Sequence, residues 1–587
     1  MLPTSGHRPS SAARRATPAR LRAAVPAVAS ALLAAAAAAP LAPAPLRAQA
    51  VLGIGDDALV LPRGVFRLRV IGQQGTFNER FGVNSATGRR PSERESILAD
   101  LNIPSIGVLQ FPNLAPVQAG LRSLTGDNNY ELSLGTTTAT GDVRINAGSL
   151  VTELGLTRRL SLGVVVPYVD TRNNVNLRVN PGGEGNVGFN PGVAGGVSAA
   201  RAQNTTLVTQ LFTAARTLEG AVGLPAGGCA TSALAQCQLV NGTRQFAGGV
   251  GGIYGADAAP AVGFPGAAGS PFVPLGTSQA QQAIAARVAG LRQAYGPLGA
   301  GITAAAPFAA PTNLGFADAQ RILTESAFGV SAQPVGTTAR RSLGDIEVAA
   351  KYSLINTFGH ADPNARLDPK GVNLRTAITG VARIGTGNAE DPRNFLDVPT
   401  GTGANAVGVR SATDVLLGRY FWTSLSLRYT AQLPDDQLVR VTDAPERVLA
   451  PAYRQQTVRR DLGDFFELEA TPRVVLTDWL LVAGQYYFRD KAEDRFTGTF
   501  VIPASVTGFA DIPLDARTLN QETRAVERRF GGGVSLSSVK AFARGRARLP
   551  GELTYTFQQT NNGFGGAVPR LTLHQVQIRL YARLFGQ

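Results

Sequence analysis

Leu416-Leu417-Gly418-Arg419-Tyr420-Phe421-Trp422-Thr423-Ser424-Leu425-Ser426-Leu427-Arg428-Tyr429 is the stretch on which the fold of this chain turns. A strand runs in, reverses at 419–422 and runs back. In the returning limb Leu425, Leu427 and Tyr429 share one face, and Ser424, Ser426 and Arg428 share the other. That is the period-2 alternation of a strand with one apolar and one polar side. The same strand–turn–strand unit recurs at 154–166 and 473–488.

Working outward, alternation of this kind predicts strands over 64–74, 142–156, 160–170, 342–354, 372–385, 405–417, 465–475, 480–489, 524–536, 552–559 and 571–585, besides the limb that follows Phe421. In the second of these the apolar face switches from Val143 and Ile145 to Leu150 and Leu154, which predicts a bulge near Ala147-Gly148. The short turns at 157–159, 419–422 and 476–478 all fall on one side. The long connections at 75–128, 173–340, 386–403, 434–461 and 491–520 all fall on the other. An even number of antiparallel strands with loop lengths sorted in this way is the pattern of a bacterial outer-membrane barrel. A soluble β-sandwich gives no reason for the sorting. The fold expected is all-β: an antiparallel transmembrane β-barrel of about 12 strands over 51–587, carrying a large Gly/Ala-rich, partly helical insertion.

Residues 1–50 read as a secretory signal peptide, with a basic start, an alanine-rich apolar run and an Ala48-Gln49-Ala50 cleavage site. Beyond them no run of about 18 apolar residues predicts a membrane helix. Residues 1–50 hold six arginines and no acids, so the formal charge of +15 falls to +9 for the rest. Those arginines are spread singly along strands, which argues against a nucleic-acid patch. Cys229 and Cys237 are the only cysteines, and in an exported chain they are expected to form a local disulfide. They lie in 173–340, a connection with helix-like pieces. It reads equally as an external lid or plug and as a partly disordered surface loop.

The polar strand faces nominate a lumen lining of Arg67, Arg69, Arg144, Glu347, Lys351, Arg375, Arg383, Arg428, Glu467, Glu469, Arg473, Arg489 and Arg579. If the lumen is open, its cations favour anions; if the acids pair with them, the charges fill a closed interior. Tyr420, Phe421, Trp422 and Trp479 sit beside short turns and are expected to form an interfacial girdle. His360 and His574 stand outside any nucleophile motif, and two histidines are too few for a metal site. No enzyme, cofactor or metal is therefore expected. The partners implied are membrane lipid, a small-molecule solute and, during assembly, the outer-membrane insertion machinery.

Leu343-Gly344-Asp345-Ile346-Glu347-Val348 with Lys351-Tyr352 forms one distinctive run. Ala382-Arg383-Ile384-Gly385-Thr386-Gly387, Gly401-Thr402-Gly403 and Asp414-Val415 form others. Gly155-Leu156-Thr157 and Val166-Pro167-Tyr168 have the same style. In these residues the chain resembles the outer-membrane protein family of the meta-pathway of phenol degradation, a relative of fatty-acid and aromatic-hydrocarbon transporters. The resemblance implies a channel for small hydrophobic or aromatic molecules. A barrel displaying a surface loop domain for adhesion or interaction is the alternative. Unlike that family, this chain shows no plug-forming segment before the first strand.

Overall fold

The computed structural model describes residues 57–81, 93–224, 227–358, 369–443, 447, 449–508, 510–565 and 568–585. The signal peptide expected over 1–50 and His360 lie outside them. Twelve long strands make one ring: β1 (Val65–Phe77), β2 (Thr137–Gly155), β3 (Leu160–Val179), β4 (Ile346–Asn356), β5 (Val372–Ile384), β6 (Ala406–Leu417), β7 (Phe421–Gln432), β8 (Phe465–Val475), β9 (Leu480–Lys491), β10 (Ala525–Ser537), β11 (Gly551–Phe564) and β12 (Thr572–Arg583). Each is antiparallel to its neighbours in sequence, and β12 returns to pair with β1. Closure leaves the ring no open edge, the condition for a sheet to stand in hydrocarbon.

The burial pattern says which side is which. Ser424 and Ser426 are 2% exposed, while Leu425 and Leu427 are 43% and 38% exposed. Polar residues are inside and apolar residues outside, the inverse of a soluble protein and the arrangement of an outer-membrane barrel. Bacterial outer membrane is accordingly where this chain resides.

Local chemistry sets the short turns. In 156–160 and 476–480 the sequence repeats as Leu-Thr-x-x-Leu. The hydroxyls of Thr157 and Thr477 accept backbone N–H groups two and three residues on, a side-chain mimic of a backbone turn. The turn of the opening hairpin uses Gly418 at φ +60°, where a side chain would be strained. Between β10 and β11 the short-turn end carries one small helix, Val539–Ala543.

Two expectations fail here. No bulge interrupts β2: its register with β1 and β3 runs unbroken. Register shifts fall instead at Thr376/Ala377 and Arg528/Arg529. The apolar residues change face because the upper β2–β3 hairpin leaves the membrane. Val143 there turns inward and is 3% exposed, while the outward positions become polar. The connection at 75–128 is not simply an irregular polar loop. It carries helix α1 (Ala115–Thr125). Leu98, Leu101, Ile106 and Leu121 share one hydrophobic core with α2 (Ser198–Ala221), α3 (Ala235–Tyr254), α4 (Gln279–Tyr295) and α5 (Phe316–Thr324). Cys229 and Cys237 are joined within this core.

The unit built by 93–136 and 180–337 is a cap. It packs on the inner face of the protruding ends of β2 and β3, at Ala139, Val175 and Leu177, and takes in Leu396 and Leu449 from two further long loops. Arg440 ties these parts together. Its guanidinium donates to the carbonyls of Val330, Ala450 and Pro392 and lies 4.9 Å from the centre of the Phe395 ring. Burial pulls that guanidinium down to about 10, so it remains charged at neutral pH.

Candidate functional site

The lumen changes character along its length. At the short-turn end it is filled. The residues that precede β1 cross it: Leu59 and Leu61 pack with Val65, Val539 and Tyr581, and Ala58 reaches the opposite wall at Ala377 and Ala412. This corrects the expectation that no plug-forming segment precedes the first strand. The alternation of Ala58, Val60 and their neighbours is too short to mark itself as a strand, so periodicity missed it.

Charges hold the crossing segment. The carboxylate of Asp57 lies 3.5 Å from Arg67, 3.6 Å from Arg579 and 3.8 Å from Lys351, and Lys351 also donates to its carbonyl. Arg67 and Arg69 both engage Glu153. Asp414 accepts from Arg375 Nε at 2.6 Å and from the Ser424 hydroxyl, which in turn accepts from Arg473. Arg579 also faces Glu552 at 3.5 Å. Arg67, Arg375, Arg473 and Arg579 are only 0–3% exposed. Buried charges persist only when paired, and here the adjacent strands and the crossing segment supply the partners.

Higher up, the charges are wetter. Glu347 bridges Arg383 and Arg410, and Arg428 pairs with Glu469. The three arginines are 19–25% exposed. Glu467 accepts from the Tyr487 hydroxyl, and Arg489 stacks 4.5 Å from the Phe465 ring.

Twelve of the thirteen residues nominated as lumen lining thus face inward. Arg144 does not. With β2 in unbroken register its parity is that of Leu150 and Leu154, and it is exposed on the outer wall. Trp422 is the second correction. It shares the parity of Ser424 and Arg428, is 2% exposed, and forms an apolar floor with Phe358 and Leu416. Tyr420, Phe421 and Trp479 are exposed. Lumen groups missed in the sequence include Glu153, Arg410, Asp414, Glu527, Arg529 and Glu552. All were legible in principle, because each lies on the face of its strand opposite the outward apolar residues. A second set of exposed aromatics, among them Tyr168, Tyr429, Phe466 and Phe530, stands nearer the long-loop end.

One arc of the wall is apolar. Inward positions on β3 are Val165, Pro167 and Val169, joined by Ile145 and Ala147 on β2 and Ile71 on β1. Continuing up the same face of β3, Thr171 and Asn173 line a polar pocket with Arg340, Asp391 and Asp397. Leu177 and Val179 line an apolar cavity with Phe111, Ile322, Leu323 and Leu449 under the cap.

The rim motifs have a structural role. Gly344 lies against Pro167, and Asp345 accepts from the N–H of Gly387 at 2.9 Å and from the N–H and hydroxyl of Thr402 at 2.8 and 3.0 Å. Thr386 donates to the Gly344 carbonyl and accepts from Ile346. A Cβ on Gly401 would sit 2.6 Å from the Asp345 carboxylate, and one on Gly387 2.6 Å from Gly401. The motif staples a long loop to the barrel edge. Among the described residues no cluster suits a metal ion.

A closed twelve-strand ring, apolar outside and charged within, defines an outer-membrane β-barrel. Among solved structures the chain is similar to the COG4313 outer membrane channel from Pseudomonas putida F1, at TM-score 0.37 and 10% identity over 91% of this chain and all of that one. It is also similar to the transport unit of the autotransporter AIDA-I from Escherichia coli (TM-score 0.28, 5% identity, 88% and 90% covered). A third is the TodX deltaS2S3 mutant monoaromatic hydrocarbon channel (0.25, 8%, 89% and 91%). No family model and no curated protein matches the chain, so the phenol-pathway resemblance rests on its sequence motifs alone.

Proposed function

We propose that this chain is an outer-membrane channel for small apolar, including aromatic, molecules. They are admitted under the cap and led down the inner face of β3. The observation that carries the reading is the succession on that one face. The apolar cavity at Leu177 and Val179 lies above the polar pocket at Thr171 and Asn173, and the apolar arc of Val169, Pro167 and Val165 lies below. The crossing segment 57–62 is the gate: it belongs to no strand of the ring and is held largely by wall side chains, and so can leave without opening the barrel.

The test is toluene uptake by cells with and without the chain in the outer membrane, whose glycolipid leaflet slows apolar solutes, with a sugar of similar size compared. Val165→Asp with Val169→Asp is expected to slow toluene at least several-fold and leave the sugar little changed. Uptake of both solutes unchanged by the chain, with and without residues 57–62, contradicts the proposal. The second reading, a permanently closed barrel that displays the cap, is favoured by the near-complete burial of the Asp57 cluster. Unchanged uptake leaves that one standing.

A further inference from the structure

We propose that Arg144 and Arg172 form a binding site for a phosphate group of an outer-leaflet glycolipid. The two arginines are directly opposed across the β2–β3 ladder, and both are exposed on the outward face. Their inward neighbours Val143, Thr171 and Asn173 are buried, so the guanidiniums point away from the lumen. Like charges directly opposite each other in a sheet repel, and an anion between them turns that repulsion into attraction.

The surroundings do not neutralise the pair. Arg172 donates to Asn174, a neutral group, at 3.0 Å. Of the nearest outward acids, Asp170 pairs with Arg341 at 3.1 Å, and Asp142, which accepts from Asn174 at 3.0 Å, offsets one charge. Arg178 adds a further cation three rows up the same face. Two positive charges are left over.

Height selects the ligand. On β3 the outward series runs Leu162, Val164, Val166, Tyr168, Asp170, Arg172. Tyr168 closes the apolar band, and Arg172 stands two rows above it, about 10 Å along the membrane normal for a strand tilted near 40°. That is the level of lipid phosphates, which arginine forks recognise through paired charge-assisted hydrogen bonds. Exposed aromatics immediately below fit the boundary between acyl chain and headgroup.

The experiment is native mass spectrometry of the full chain in detergent, titrated with bisphosphorylated lipid A, with the same glycolipid lacking its phosphates, and with inorganic phosphate. Wild type is expected to retain the bisphosphorylated form. Arg144→Ser with Arg172→Ser is expected to weaken retention ~10-fold or more, the loss of two charge-assisted contacts. Arg158→Ser with Arg159→Ser, at the opposite end of the barrel, is expected to leave it unchanged. Heat-modifiable gel mobility establishes that each variant is folded. Equal retention by wild type and R144S/R172S, or equal retention of the phosphate-free glycolipid, overturns the site. Occupancy by inorganic phosphate in competition with the glycolipid overturns the assignment to lipid.

Discussion

The backbone N–H of Ala58 donates to the carboxylate of Asp414 at 3.1 Å, across the lumen and across 356 positions of sequence. The same carboxylate holds Arg375 and Ser424. One side chain therefore joins the crossing segment to the far wall. Asp414→Asn presents an NH₂ group to Arg375 and breaks a buried pair, a change that typically costs ~3–5 kcal/mol. A lower midpoint of urea unfolding in detergent is the expected outcome, and an unchanged midpoint speaks against the pairing.

Asp345→Ala removes three hydrogen bonds to a carboxylate, each worth about 1.5–3 kcal/mol. Loop 386–404 is then expected to become protease-sensitive in intact cells while the barrel stays folded. Gly401→Ala, whose Cβ would sit 2.6 Å from Asp345, is expected to give the same cleavage.

Trp422 and Trp479 are the only tryptophans, so single-Trp variants report cleanly. Emission from Trp479, 57% exposed in the turn between β8 and β9, is expected to be quenched by brominated lipid. Emission from Trp422 is not. Trp422→Ala is also expected to cost ~3–5 kcal/mol of stability, as for other buried aromatic truncations. Equal quenching of both tryptophans contradicts the inward placement of Trp422.

The Cys229–Cys237 bond closes a short loop inside the cap, which corresponds to about 2–3 kcal/mol of stabilisation. Cys229→Ser with Cys237→Ser is expected to make the cap more sensitive to protease. The heat-modifiable mobility of the barrel is expected not to change, because the ring is closed by its own strand ladder.

The strands were legible because each carries its own alternation: Leu425 and Leu427 against Ser424 and Arg428 need no tertiary information. The same parity held the answers for Trp422 and Arg144. In both cases a second cue displaced it: tryptophan beside a turn suggested a girdle, and a change of apolar face suggested a bulge. The cap was not legible in this way. Its core joins Leu101 to Ile322 and Leu449, and no local pattern encodes a contact between segments more than a hundred residues apart. Nor did periodicity reveal the crossing segment, whose partners Asp414, Lys351 and Arg579 come from three distant strands. The rim motifs were visible as glycine and threonine runs, but only the contacts of Asp345 give them a reason.

The most direct test of a channel gated by 57–62 is single-channel conductance in a planar bilayer. Wild type is to be compared with a variant whose residues 57–62 are replaced by a Gly-Ser linker. Wild type is expected to stay largely closed and the variant to show a steady, larger conductance. A variant that conducts no more than wild type contradicts the gate.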